Sequence, residues 1–168
     1  MINFDMARDW STFTRRITVN YPTKAIYDAW AIPSQIERWF LRSAEYVGVD
    51  GASKNRDREV EAGDSYLWRW HGYLDDVSES GMILEANGLD KFAFTFTNGC
   101  PVTVSIAEEK GETVVELIQS QIPDDPSRHI YIECGLGWAF YLANLKSILE
   151  GGIDLRNRNV DIKDVVNA

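Results

Sequence analysis

Groups able to do chemistry are few in this chain. Histidine occurs at 71 and 129, and cysteine at 100 and 134. His71 closes an alternating segment, Ser65–His71 (SYLWRWH), with Arg69 two positions before it and Glu85 on the segment that follows. A histidine turned into a cavity serves as a polar anchor, or as a general base near neutral pH. His71 with Glu85 or Arg69 is therefore the candidate set for a cavity enzyme of cyclase or hydrolase type. His129 falls in the first turn of a long helix, where the helix dipole disfavours its charge, and it reads as an exposed helix-end residue. With two histidines and no Cys/His cluster, no metal site is expected. Gly135-Leu136-Gly137 lies inside a helical pattern and not after a strand, so it is no phosphate loop. No nucleophile-elbow motif supports a serine triad. Asp75, Asp76, Glu79 and Glu85 read as a solvated strand edge, and no cofactor is implied.

The second concentration is aromatic. Trp39, Trp68, Trp70, Phe92, Phe94, Phe96, Trp138 and Tyr141 exceed what one thin core needs, since each large ring buries on the order of 150–250 Å². Ligand pockets are mainly apolar with a few polar groups. Trp39, Phe40, Trp68, Trp70, Phe94, Trp138 and Tyr141 are the candidate lining of a cavity for a small apolar or amphipathic molecule. Parity puts Trp68 and Trp70 on the face opposite Arg69 and His71. With the aromatic face inward, Arg69 and His71 are solvated; with the other face inward, they are polar anchors of the cavity.

These residues must be positioned by a mixed set of elements. Thr14–Asn20 alternates as a first strand. Two short helices follow: KAIYDAWA after Thr23 as N-cap, and SQIERWF after Pro33. The period then changes from 3.6 to 2 over about six strands, from Ser43–Val49 to Thr113–Gln119. Asn87-Gly88, Asn98-Gly99 and Glu-Glu-Lys-Gly mark their turns. Asp125 as N-cap and Pro126 at the first helical position open a helix over Ser127–Glu150, which Gly151-Gly152 stops. Ile130, Cys134, Trp138, Tyr141, Leu145 and Ile148 form its apolar stripe. At 1.5 Å per residue it is roughly 36 Å long, the only element able to cover the inner face of such a sheet. Cys134 on that stripe reads as core. Gly135 and Gly137 suggest close packing against the sheet or a hinge that opens the cavity. Ile132, Leu136 and Phe140 form a second apolar patch on its back. That patch calls for cover by the N-terminal extension (Phe4, Met6, Trp10) or by a second subunit.

Composition narrows the classes. The chain has 168 residues, net charge −9 and 45% hydrophobic content, which suits one globular domain. Lys and Arg form no sequence cluster, so nucleic acid and anionic membrane surfaces are not expected partners. No apolar run spans a membrane. The two sparse cysteines and an N-terminus unlike a signal peptide point to a cytoplasmic protein.

The order of these features resembles the START-like (SRPBCC, helix-grip) superfamily, and within it the activator of Hsp-90 ATPase homologue branch. Tyr21-Pro22 with Ile26 and Trp30, then Pro33, Trp39-Phe40 and Gly63, carry the first half. Gly137-Trp138 with Leu142, Leu145, Lys146 and Leu149, ending at Gly152, carry the second. Ala62-Gly63 stands where the branch usually has two glycines. The resemblance implies an α+β helix-grip fold, a curved antiparallel sheet of about seven strands wrapped around the C-terminal helix, with an apolar cavity between them. It divides the chain into an extension (1–13), the domain (14–152) and a tail (153–168) that docks back or frays. It also implies two further readings beside the ligand carrier: a module that acts on a chaperone, and the cavity enzyme.

Overall fold

The computed structural model describes residues 8–166. Seven strands form one antiparallel sheet in the order β1-β7-β6-β5-β4-β3-β2. They are β1 (Phe13–Thr18), β2 (Ser43–Val47), β3 (Ser65–Arg69), β4 (Ser78–Ala86), β5 (Lys91–Phe96), β6 (Cys100–Glu109) and β7 (Glu112–Gln119). Helices α1 (Thr23–Ala31) and α2 (Pro33–Ile36) sit between β1 and β2, and α3 (His129–Leu149) closes the order. Every β-hairpin from β2 to β7 joins neighbours in the sheet, so pairing follows sequence order; β1 closes the sheet by pairing with β7. Among the described residues no helix is long and apolar enough to cross a membrane.

Local chemistry explains most boundaries. Lys110 and Gly111 both take positive φ (52° and 83°), as a two-residue hairpin turn requires. Gly151 at φ 81° stops α3, and the Gly152 N–H donates to Ser147 O at 2.7 Å. The start of α3 is later than the sequence suggests. Arg128 takes φ 55°, a left-handed conformation that cannot propagate a helix, so α3 begins at His129 and Pro126 lies outside it. Asp125 still accepts the Ser127 and His129 amides at 3.1 and 3.3 Å. Likewise Pro22, not Thr23, precedes the first turn of α1, and α2 is one turn only.

The core lies between the inner sheet face and α3. Tyr66 and Trp68 of β3, Phe92 and Phe94 of β5, and Trp138, Leu142 and Leu145 of α3 are buried in it. The aromatic face of β3 is thus the inward one. α1 and the segment after α2 add Trp30 and Trp39, whose rings meet at 4.5 Å edge to face. Arg8 and Trp10, ahead of β1, pack on Tyr131. Trp10 therefore covers a different side of α3 from Ile132 and Leu136, and Phe4 and Met6 lie outside the described residues.

Residues after α3 do not fray at once. Arg156 is 7% exposed and its guanidinium donates to Glu37 O, Arg38 O and Leu41 O at 3.1, 2.8 and 3.0 Å. Asp154 pairs with it at 2.8 Å. Asn144, fully buried on α3, donates to Trp39 O at 2.7 Å and accepts the Leu155 amide at 2.8 Å. Asn144, Asp154 and Arg156 therefore bind the tail, α3 and the Glu37–Leu41 turn into one polar lock. Its consequence for the site is that Phe40, inside that turn, is held against α3.

Candidate ligand cleft

At one end of the helix–sheet sandwich the two layers part. The gap is a cleft of about 340 Å³, at the small end of the volumes typical of small-molecule sites. Its sheet wall is Trp70, Tyr73, Val77, Phe96 and Thr97. Its helix wall is Ile130, Glu133, Cys134, Gly137, Trp138 and Tyr141, with Phe40 at the floor and His129 at the rim. Phe40 meets Trp138 at 5.0 Å and Tyr141 at 4.8 Å between ring centroids. Phe96 meets Trp138 at 5.1 Å and Trp70 at 6.2 Å.

Strand position decides which aromatics reach the cleft. Trp68 and Trp70 share one face, as do Phe94 and Phe96. Trp68 and Phe94 are fully buried, whereas Trp70 and Phe96, one pleat nearer the strand ends, are half-buried. Of the seven residues the sequence proposes as lining, Phe40, Trp70, Trp138 and Tyr141 lie on the cleft. Trp39, Trp68 and Phe94 sit in the packed core behind it. There the Trp39 Nε1–H donates to Ala29 O (2.8 Å) and the Trp68 Nε1–H to Tyr46 OH (3.1 Å).

Several lining residues lie outside the sequence reading, Thr97 among them. Thr97 precedes the Asn98-Gly99 turn at φ 40°, a left-handed value rare for a β-branched residue. Its amide donates to Glu79 Oε1 at 2.9 Å, and the Cys134 thiol contacts its hydroxyl at 3.7 Å. Backbone strain of this kind is retained where surroundings over-determine it, which is common at ligand sites. Glu79 is thus a half-buried partner of the turn and not a solvated edge residue; burial pushes its carboxyl up. Behind the helix wall the Trp138 Nε1–H donates to Gln119 Oε1 at 2.9 Å, and the Gln119 amide lies beside both thiols. Burial pushes the Cys100 and Cys134 thiols up as well, so both stay protonated near neutral pH and are poor nucleophiles.

The predicted polar anchors sit elsewhere. Arg69 pairs with Glu45 at 2.9 Å on the outer face. Glu85 pairs with Lys91 at 3.3 Å. Ser78, seven positions before Glu85 on β4, pairs with Arg69 in register, which places Glu85 about 23 Å along the strand from Arg69. His71 lines a second cavity with Arg42, Tyr73, Leu74, Asp75 and Arg158. Desolvation, and then Arg156, Arg158 and Arg42, push its imidazole down to about 4. His71 is therefore neutral near pH 7, and Glu85 is too distant to act with it.

α3 is continuous through both glycines. A Cβ on Gly135 would meet Arg15 Nη2 at 2.6 Å, and the Arg15 Nε–H already donates to Gly135 O at 3.1 Å. Gly135 is a close-packing position. A Cβ on Gly137 would meet nothing within 4 Å, and Gly137 borders both the cleft and a groove between α3 and residues 162–166.

Comparison with known proteins agrees with this architecture. A family model described as activator of Hsp90 ATPase homolog 1-like protein matches residues 20–150. The chain belongs to that family. A search of curated proteins finds no match. Among solved structures, a protein from Staphylococcus saprophyticus is similar at 20% identity and TM-score 0.67, over 87% of this chain and 96% of that one. The Aha1 dimer from Colwellia psychrerythraea is similar at 14% identity and TM-score 0.65, over 84% and 97%. A third is an AHSA1-like protein from Aeromonas hydrophila, at 20% identity and TM-score 0.57, over 83% and 92%. At these identities the likeness speaks for the helix-grip fold.

Proposed function

We propose that this member of the Hsp90 ATPase activator homologue family binds a small apolar or amphipathic molecule in the cleft between the sheet and α3. One observation carries the reading: six aromatic side chains, Phe40, Trp70, Tyr73, Phe96, Trp138 and Tyr141, converge on an open space of about 340 Å³ that the fold leaves unfilled. A core built only for stability closes such a space, because a void forfeits dispersion contacts. The residues the sequence offers for a cavity enzyme are not on the cleft: His71, Arg69 and Glu85 lie outside it, and its thiol is protonated. Binding without turnover is therefore favoured over the cavity enzyme. Native mass spectrometry of the freshly purified protein tests this. A retained small molecule, lost in Gly137→Leu, is expected; a bare chain that no apolar probe stabilises overturns it.

A second reading concerns assembly. Ile132 and Leu136 on the back of α3 are 45% and 64% exposed. A relative of the same fold is a dimer. We propose that a second copy covers this patch together with the half-buried Phe140. Sedimentation of the wild-type chain should show a dimer that Leu136→Asp dissociates; a monomeric wild type at tens of micromolar rules it out. A chaperone-directed role has family membership as its support, and a change in a chaperone's ATPase rate on adding this protein alone is its test.

A further inference from the structure

The cavity that holds His71 adjoins the aromatic cleft. Tyr73 is a wall of both. Trp70, in the cleft, directly precedes His71, in the second cavity, and the Trp70 carbonyl accepts Arg42 Nε–H at 3.3 Å. The two spaces differ in character. The first is lined by rings; the second, of about 470 Å³, carries Arg42, Arg158 and His71 on its walls. Arg156 lies close enough to act on His71 from behind. Against these cations stand Asp154, which holds Arg156 and Arg158, and Asp75, which pairs with Arg42. Asp75 is 79% exposed, and so exposed a pair contributes little and exchanges readily. In a chain of net charge −9, this corner is locally positive.

We propose that the cleft and this corner form one bipartite site for an anionic amphiphile. Its apolar chain lies among Phe40, Trp70, Phe96 and Trp138. Its carboxylate, sulfate or phosphate head passes Tyr73 and takes the place of the Asp75 carboxylate on Arg42, with Arg158 and His71 beside it. The proposal rests on the cleft being a ligand site and adds the head-group class. Arg42 and Arg158 supply charge-assisted donors, which are about twice as strong as neutral ones. Head-group preference is thus separable from chain binding. A bound anion also opposes Arg156, Arg158 and Arg42, whose charges add to desolvation in keeping His71 neutral, so the imidazole should take a proton more readily.

The test compares n-decanoate, n-decanol and decyltrimethylammonium, each below its micelle concentration, by calorimetric titration of the full chain at low salt. Decanoate should bind about tenfold tighter than decanol, the size of one hydrogen bond to a charged group. Decyltrimethylammonium should bind more weakly than decanol. Arg158→Gln, a substitution at a largely exposed side chain, should reduce the preference severalfold and leave decanol unchanged. Arg16→Gln, on β1 away from both cavities, should preserve it. The chain has only two histidines, so the His71 ring protons can be followed by NMR, and n-decyl sulfate, which stays ionised at the low pH where His71 titrates, should move their titration to higher pH. Decanoate binding no tighter than decanol, or a preference undiminished in Arg158→Gln, overturns the head-group assignment and leaves the cleft reading intact. Binding of none of the three overturns both.

Discussion

Gly137→Leu separates the cleft from the fold more cleanly than any aromatic truncation. Removing Trp138 or Phe40 would strip core contacts and weaken folding and binding together. Gly137 is different: nothing lies within 4 Å of where its Cβ would stand, and it lines the cleft from mid-helix. Replacing a mid-helix glycine by leucine gains about 0.7–1 kcal/mol in helix propensity. For a chain of this length that is a rise of about 2–4 °C in Tm. The added isobutyl group occupies the space a ligand chain needs. In differential scanning calorimetry the wild type with decanol at a hundredfold excess over Kd should gain about 2.7 kcal/mol, or about 5–10 °C. The variant should start higher and gain almost nothing. A Gly137→Leu protein that binds decanol as the wild type does would refute the placement of the site. Gly135→Ala is the control: its Cβ displaces the Arg15 guanidinium, not a ligand, so the ligand-induced shift should persist.

Other expectations follow from the same geometry. Arg156→Ala leaves the carbonyls of Glu37, Arg38 and Leu41 without their donor and should cost about 3 kcal/mol in urea unfolding, while a wild-type midpoint would show the polar lock to be idle. Asn144→Leu should act in the same direction by releasing Trp39 O and the Leu155 amide, read by the same midpoint. His71 is depressed from 6.5 to about 4 in the folded protein, so protonation favours the unfolded chain. Stability from this group is complete above about 6.5 and falls as pH drops toward about 4. Solvent screening of the half-exposed ring holds the loss to about 1–2 kcal/mol. In His71→Gln the slope of unfolding free energy between those pH values should flatten; an unchanged slope removes His71 as its source.

Architecture was legible because it rests on periodicity. Alternation in SYLWRWH and KFAFTF gives strand and face, and the 3.6-residue stripe through Trp138 and Tyr141 gives the long helix. Depth along a strand is not in that signal. Trp68 and Trp70 are equivalent by parity, yet one pleat separates solid core from cleft wall. The sheet and helix part only near the strand ends, a tertiary property. Loop residues Tyr73, Val77 and Thr97 were illegible for the same reason. Arg156 was missed because an arginine in a mixed tail reads as solvated, and only the fold brings three carbonyls to it. The two-residue error at the start of α3 has a local cause, the left-handed Arg128, where the Asp125-Pro126 pair imitates a helix start.

The claim that the cleft is a binding site is tested most directly by mapping where an apolar probe touches the protein. In ¹H–¹⁵N spectra titrated with decanol, shifts should centre on the amides of Thr97, Cys134 and Gly137 and on the Trp70 and Trp138 indoles. The Trp39 and Trp68 indoles, held behind the wall, should move little. Saturable binding whose shifts fall elsewhere, or no binding at all, would contradict the account.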